Sequence, residues 1–288
     1  VATEEILKQV SDQYRRIRNT FRFIMGNLND FDEDTKNINK NDLVEIDKWI
    51  ISEAIKLDKE VQNLNDEFAY HHVVQKIHNF CVHELGGVYL DIIKDRMYVT
   101  KSDSYARRSA QFALFEVADI LIRLISPILV FTAEEIWQSH ELFKKQAVSI
   151  FTSSQKVLSK IESSISDQDW KKTFAIKDAV NQSIEKARAD SVIKGSLDSK
   201  IRIECDKETF KALQKIEGEL KFVFISSEVE IIESSNSKLD IQVTNLDQKK
   251  CIRCWNKCSS VGLHLEDPEI CSRCYTNVYG DGEIRKFV

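Results

Sequence analysis

The chain has 288 residues, of which 42% are hydrophobic and 30% are charged, so it can form one large core or two or three domains. This composition is typical of a soluble globular protein and excludes a disordered chain. The formal net charge of −5 argues against a general DNA coater, so any contact with nucleic acid must come from local basic patches.

The first part of the chain is poor in helix-breaking residues. Of only eight glycines, four follow residue 217, and there are just two prolines, which predicts long uninterrupted helices in the first part of the chain. The most apolar run, residues 113–137, contains several charged residues and is predicted to be buried helix, not a membrane span. Seven cysteines without a secretory leader predict a reducing, cytoplasmic location. Because the first residue is Val1 and not Met, we expect a piece of a longer protein. Separately, we expect the protein to be a monomer.

Apolar residues recur at three- and four-residue spacing through residues 1–150, which predicts an antiparallel helical bundle. The predicted helices span residues 4–27, 41–64, 67–98 and 104–125, followed by a short helix through Trp137 and His140. Thr3 and Ser104 are expected to cap the first and fourth of these helices. A bend is expected at Gly86 and Gly87, and Pro127 should end or kink the fourth helix.

Three arginines, Arg15, Arg18 and Arg22, share one face of the first predicted helix. They are either a solvated flank with acidic partners such as Asp12 or a cationic stripe that grips a phosphate backbone. The sequence leaves both interpretations open.

The composition of the chain changes after a linker. Residues 146–167 are rich in Ser and Lys and are predicted to be a linker, followed by a helix over residues 169–193. Four alternating segments then predict strands, with a helix over residues 208–217 between the first two. The predicted strands are residues 201–205, 222–225, 229–232 and 239–243. The predicted fold is therefore mainly α: a helical bundle (1–150), a linker with a small α+β domain (151–245) and a C-terminal zinc ribbon (246–288).

The ribbon is predicted from two Cys-x-x-Cys pairs, Cys251 with Cys254 and Cys271 with Cys274. Each pair can aim two thiolates at one point, and the spacing between pairs fits one tetrahedral zinc ion. Four thiolates leave no position for an activated water, so the zinc should be structural. A thioredoxin-like redox pair lacks its βαβ setting here, and a disulfide framework would suit a short secreted chain. Cys258 and His264 lie between the pairs and could replace a ligand, but we expect ordinary roles for both.

The same segment carries cations beside aromatic rings, a combination found in readers of single-stranded nucleic acid. These residues are Arg253, Lys257, Arg273, Arg285, Lys286, Trp255, Tyr275, Tyr279 and Phe287. Composition alone leaves open whether Trp255 packs over the metal site or stacks on a base. No catalytic motif is present: the sequence has no GxGxxG, no P-loop and no nucleophile elbow.

Several segments resemble the C-terminal part of the bacterial isoleucyl-tRNA synthetase family, over essentially the whole chain. The resembling segments are residues 14–20, 27–32, 89–98, 126–137, 185–190, 195–197 and 282–287, together with Cys254-Trp255. Related synthetases share versions of residues 126–137. The chain departs from the family pattern at Gly86-Gly87 and at Cys258.

The resemblance implies that the full-length protein attaches isoleucine to tRNA(Ile) using ATP. The catalytic and editing domains, with the HIGH and KMSKS signatures and the ATP site, would lie before Val1. The role implied for this part is recognition of the anticodon region, with Trp255 stacking on a loop base and Arg253 and Arg273 holding phosphates or base edges. The full predicted RNA-binding set is Trp255, Arg253, Arg273, Arg15, Arg18, Arg22, Arg285 and Lys286. Two alternatives are a sequence-tolerant nucleic-acid module, as in the similar ribbons of DNA-repair glycosylases, and a structural or protein-docking ribbon.

Overall fold

A computed structural model describes residues 3–154, 159, 161–234 and 239–288. The chain is mainly helical, with a small three-stranded sheet and a C-terminal cluster of cysteines, which confirms the predicted fold class. Its residues form two compact units. One unit contains Val1–Asp91 and Arg108–Glu162, and the other contains Ile92–Arg107 and Ser163–Val288. The predicted domain borders at residues 150 and 245 stay predictions.

The helices of the first half begin and end near their predicted bounds. They are α1 (Glu4–Asn27), α2 (Glu45–Asp66), α3 (Tyr70–Phe80), α4 (Leu90–Val99), α5 (Tyr105–Ile125), α6 (Val130–Gln138) and α7 (Glu141–Lys144). Thr3 caps α1 by accepting from the Ile6 N–H, and Ser104 accepts from the Arg107 N–H at the start of α5. His140, expected inside a helix, instead caps the short α7 with its ring nitrogen.

A stretch of π-helix, Cys81–Tyr89, joins α3 to α4 where the sequence predicts a bend. The two glycines explain why this stretch can form. A Cβ atom on Gly86 would lie 3.0 Å from the Cys81 carbonyl oxygen, and one on Gly87 would lie 3.3 Å from that of Val82. A side chain at either position would therefore press against the carbonyl oxygen five residues earlier, most closely at residue 86.

A buried polar network fixes part of the first unit. The Asp47 carboxylate on α2 accepts a hydrogen bond of 2.7 Å from the Tyr89 hydroxyl and one of 2.5 Å from the Ser109 hydroxyl. The Ser109 oxygen in turn accepts from the Val44 N–H at 2.9 Å. The network links α2, the π-helical stretch and α5, and it satisfies a carboxylate that is fully buried.

The second unit contains the sheet. Its elements are α8 (Asp167–Ala189), β1 (Ser199–Cys205), α9 (Lys207–Gln214), α10 (Leu220–Val223), β2 (Glu228–Glu233), β3 (Asp240–Asn245) and α11 (Ser272–Tyr279). The strand order is β2–β1–β3, with β1 parallel to β2 and antiparallel to β3. The helix α9 lies in the crossover that a parallel pair requires. Ile201, Ile203 and Cys205 form the buried face of β1, and α8 packs against α9 and β3.

The predicted strand over residues 222–225 is wrong, because this segment is the end of a helix followed by a turn. Helix α10 covers Leu220–Val223 and ends through Ile225, whose φ of 52° lies in the left-handed region. The Ser226 N–H then donates to the Lys221 carbonyl at 2.9 Å, which closes the last turn. A short apolar run fits a buried strand and a buried helical turn equally well, so its pattern could not separate them.

The predicted linker, residues 146–167, lies partly outside the described residues, which omit 155–158 and 160. Before that gap, a short 3-10 helix, Ile150–Thr152, is attached to Glu134. The Glu134 carboxylate accepts from the Ser149 hydroxyl at 2.8 Å and from the Ile150 N–H at 3.2 Å. Among the helices that the structure describes, none has the length and apolarity needed to cross a bilayer.

Candidate metal centre and nucleic-acid surface

The two cysteine pairs meet in space as the spacing predicts. All four sulfur atoms of Cys251, Cys254, Cys271 and Cys274 lie within 4.8 Å of one another, and all four side chains are buried. Tight turns produce this arrangement. In the first pair the Trp255 N–H donates to the Cys251 carbonyl, and in the second the Tyr275 N–H donates to that of Cys271, each at 2.9 Å.

The sulfur geometry fits a tetrahedral zinc ion. With Zn–S bonds of about 2.3 Å, the sulfur atoms of a tetrahedron lie about 3.8 Å apart. The Cys251–Cys274 and Cys254–Cys271 sulfur distances are both 3.7 Å. These four cysteines therefore support one structural zinc ion.

The surroundings of the sulfurs also suit bound metal. The Cys271 N–H donates to the Cys251 sulfur at 3.3 Å, and Cys271 caps the N-terminus of α11, where negative charge is favoured. Without a cation, a side-chain hydrogen bond to Cys254, together with burial, raises the pKa of the Cys274 thiol. Four thiolates can share so small a space only when a cation compensates their charge.

Cys258 and His264 lie outside the four-sulfur cluster. The Cys258 sulfur is 3.5 Å from the Ser260 hydroxyl. The His264 ring stacks on Tyr275, with ring centroids 3.9 Å apart and planes 6° from parallel, and its Nε2 is 2.9 Å from the Ser272 hydroxyl. Both residues thus have the ordinary roles that we expected.

Trp255 follows the second ligand of the first cysteine pair. Its φ of 64° lies in the left-handed region, which side chains other than glycine seldom adopt. The residue is 63% exposed. The aromatic ring is therefore held largely in solvent and could stack on a base.

Arg273 and Arg285, both predicted to bind RNA, lie in a largely buried ion-pair cluster. Each contacts the Asp95 carboxylate of α4, and each contacts Glu283. Both guanidinium groups lie over the Phe222 ring, 4.8 Å and 3.2 Å from its centroid. Burial opposes the charge of Arg273, but Asp95 and Glu283 raise its pKa. Burial likewise opposes the charge of Glu283, but Arg285 and Arg273 lower its pKa, so both groups are ionised.

The other predicted cations of the ribbon are more accessible. Arg253 is half-buried and donates to the Val99 carbonyl at 2.5 Å. Lys286 is exposed, with its ammonium group 5.1 Å from the centroid of the Phe287 ring. Lys257 is half-buried and donates to the Asn245 side chain at 2.9 Å.

Two of the three arginines in the α1 stripe form ion pairs with acidic side chains, and the third is exposed. Arg15 pairs with Asp12 at 2.9 Å, as in the flank interpretation, and Arg18 pairs with Glu135 at 2.8 Å. The hydrogen bond to Glu135 raises the pKa of Arg18. Arg22 is exposed and has no ion-pair partner among the described residues. The RNA-binding roles of all three residues stay predictions.

Comparison with known families gives the class of this chain. Residues 47–203 match the family described as "Anticodon-binding domain of tRNA ligase". Residues 248–277, which include all four zinc ligands, match the family described as "Zinc finger found in FPG and IleRS". Because the first match covers more than half of the chain, the chain belongs to the family of anticodon-binding domains of tRNA ligases.

Its similar relatives are isoleucine–tRNA ligases. The enzyme of Alcanivorax borkumensis is 41% identical, and the match covers 99% of this chain and 32% of that protein. The enzymes of Pseudoalteromonas translucida and Idiomarina loihiensis are 40% and 39% identical, with 99% of this chain and 31% of each protein covered. The chain thus spans about a third of the length of these curated relatives, and the resemblance to isoleucyl-tRNA synthetases is confirmed.

Proposed function

We propose that this chain is the tRNA-recognition part of an isoleucine–tRNA ligase. The observation that carries the proposal is the 41% identity over 99% of the chain to such a ligase, together with the matching zinc finger. The complete protein would join isoleucine to tRNA(Ile) with ATP, using catalytic and editing domains of the same polypeptide. We place it in the cytoplasm as a monomer.

Within this proposal the accessible residues make the RNA contacts. The exposed ring of Trp255 stacks on an unpaired base of the anticodon loop, and Arg253 and Lys286 contact phosphates or base edges. On the first unit, the α1 stripe faces the phosphate backbone, with Arg22 as its unpaired member. Arg273 and Arg285 would have to leave buried ion pairs to bind RNA, so we propose that they hold the shape of the ribbon.

Direct reading of the anticodon can be tested by binding. The zinc-loaded chain is titrated with an isoleucine tRNA and with the same tRNA carrying a changed anticodon, at one fixed salt concentration. Stacking tolerates any base, so discrimination must come from hydrogen bonds to base edges. Because one such edge contact contributes roughly 1–3 kcal/mol, we expect the changed tRNA to bind at least about fivefold more weakly. Equal binding of both tRNAs would contradict recognition of the anticodon by this chain.

A second candidate function is sequence-tolerant nucleic-acid binding by the ribbon. The description of the matching zinc finger, which names FPG beside IleRS, favours it. This candidate predicts equal affinity for unrelated RNA and DNA of the same length. The burial of Arg273 and Arg285 favours a third, purely structural ribbon, for which Trp255→Ala would leave tRNA affinity unchanged.

A further inference from the structure

A cavity of about 460 Å³ opens on the first unit. One wall is α5, where Phe112, Glu116 and Arg123 share a face because positions four and seven apart on a helix lie on the same side. Lys36 and Lys40, from the segment between α1 and α2, line a second side. The cavity has the size of a small-ligand site, roughly 300–1,000 Å³.

Arg123 builds the third wall of this cavity. Its guanidinium donates to the Asp119 carboxylate at 2.9 Å, to the Ser153 hydroxyl at 2.8 Å, to the Ser154 carbonyl at 2.7 Å and to the Gln146 side chain at 3.2 Å. These bonds fix the segment that follows α7 against α5. Since the fully buried Asp119 balances its charge, Arg123 positions the wall and contributes little positive charge to the cavity.

The lysine that lines the cavity beside Glu116 is exposed, whereas the Glu116 carboxylate is buried. The Lys40 side chain is 46% exposed and the Glu116 side chain only 6%, with 3.7 Å between the ammonium nitrogen and the carboxylate. Lys36 and Lys40 each lie beside an aromatic ring, 4.5 Å from the centroid of Phe115 and 5.7 Å from that of Phe112. The cavity is thus lined by two lysines and one buried carboxylate, and a carboxylate has several acceptor positions.

We propose that this cavity binds one nucleotide of the tRNA strand. Lys36 and Lys40 hold its phosphate, and Glu116 accepts a hydrogen bond from a base amino group or a ribose hydroxyl. A bare phosphate would be repelled by Glu116, whereas a nucleotide carries an anionic group and hydrogen-bond donors on one molecule. Splayed-out nucleotides are the usual targets of such sites in RNA. This inference rests on the tRNA-binding function proposed above.

The salt dependence of tRNA binding by the full zinc-loaded chain tests the lysines. We expect Lys36→Ala and Lys40→Ala each to make the slope of log K against log salt shallower by about 0.7, the value for one phosphate contact on a single strand. Lys76→Ala is the matched control, because Lys76 is 51% exposed and also pairs with a glutamate, Glu60, outside the cavity. Its slope should equal that of the wild type.

Glu116→Gln separates a nucleotide from a simple anion. Thermal unfolding first shows that the variant is folded. Loss of the carboxylate charge should then weaken tRNA binding, because a hydrogen-bond donor of the nucleotide contacts Glu116. Tighter or unchanged binding would overturn the proposed nucleotide pose. Unchanged salt slopes for both lysine variants would overturn the site while leaving the tRNA-binding function intact. A wild-type chain that binds no tRNA would overturn both.

Discussion

At position 255 the backbone adopts a conformation that glycine tolerates without strain, yet the residue is tryptophan. At a φ of 64°, the left-handed backbone conformation of a residue with a Cβ atom is roughly 1–2 kcal/mol less stable than the right-handed one. Because the residue is 63% exposed, packing of the ring offsets little of this strain energy. Such strain is typical of positions held for a function, which supports base stacking by this ring.

Two substitutions at Trp255 separate strain from stacking. Trp255→Gly and Trp255→Ala both remove the ring, but only glycine also removes the strain. We expect the glycine variant to be more stable than the alanine variant by about 1 kcal/mol in denaturant unfolding. Both should lose tRNA affinity by roughly 5- to 150-fold, the equivalent of one stacked base. Equal stabilities of the glycine and alanine variants would contradict backbone strain at position 255. Wild-type tRNA affinity in both variants would exclude stacking by the ring.

The zinc ligands could be predicted from the sequence, whereas the environment of the ribbon arginines could not. Two Cys-x-x-Cys pairs constrain the local backbone, so spacing alone brings the sulfurs together. One shared partner of Arg273 and Arg285 is Asp95, which lies far away in sequence on α4. No local pattern indicates that contact, and an arginine in a ribbon looks the same whether it faces RNA or a buried carboxylate.

On the scale of elements, one carboxylate binds the backbone of the C-terminal segment, residues 286–288. Glu219, at the end of the short 3-10 helix Glu217–Glu219, accepts three backbone hydrogen bonds. The donors are the N–H groups of Lys286, Phe287 and Val288, at 2.9, 3.1 and 2.6 Å. Hydrogen bonds to a charged acceptor contribute more than neutral ones, so this contact should order the segment.

Glu219→Ala should release the C-terminal segment. Loss of the charged acceptor should cost about 2 kcal/mol, which corresponds to roughly 30-fold faster hydrogen exchange at the amides of residues 286–288. Glu217→Ala is the control, because Glu217 lies in the same 3-10 helix but is exposed, and its stability effect should stay within about 0.5 kcal/mol. If the three amides keep their protection in Glu219→Ala, other contacts hold the segment.

Long periodic elements were predictable and short apolar ones were not. Helices α1 and α5 begin and end within a residue of prediction because many residues repeat the same apolar spacing and a cap marks each start. Helix α10 is only four residues long, and its apolar side chains fit a strand as well. The position of Ile225 in the left-handed region decides the outcome, and that depends on packing, not on local propensity.

For the molecule as a whole, the zinc ribbon differs from the helical part in what stabilises it. The first unit has a large apolar core of its own, for example Ile24, Leu28 and Ile50, all fully buried. Around the zinc site, the buried cluster contains only Val99 and Ile270 besides the four cysteines. So small a core supplies little folding free energy, whereas structural zinc supplies on the order of 10 kcal/mol.

Removal of zinc should therefore unfold the ribbon selectively. We expect a chelator to abolish hydrogen-exchange protection in residues 248–288 while α1 and α2 keep theirs, as peptide-resolved exchange would show.

Cys251→Ser should produce the same pattern and lose the bound zinc, because a hydroxyl is a poor ligand in a four-thiolate site. Cys258→Ser should keep one zinc per chain, since that sulfur lies outside the cluster. Loss of zinc from Cys258→Ser would revise the ligand set. A protected ribbon after chelation would mean that protein contacts, including the Asp95 ion pairs, suffice to fold it.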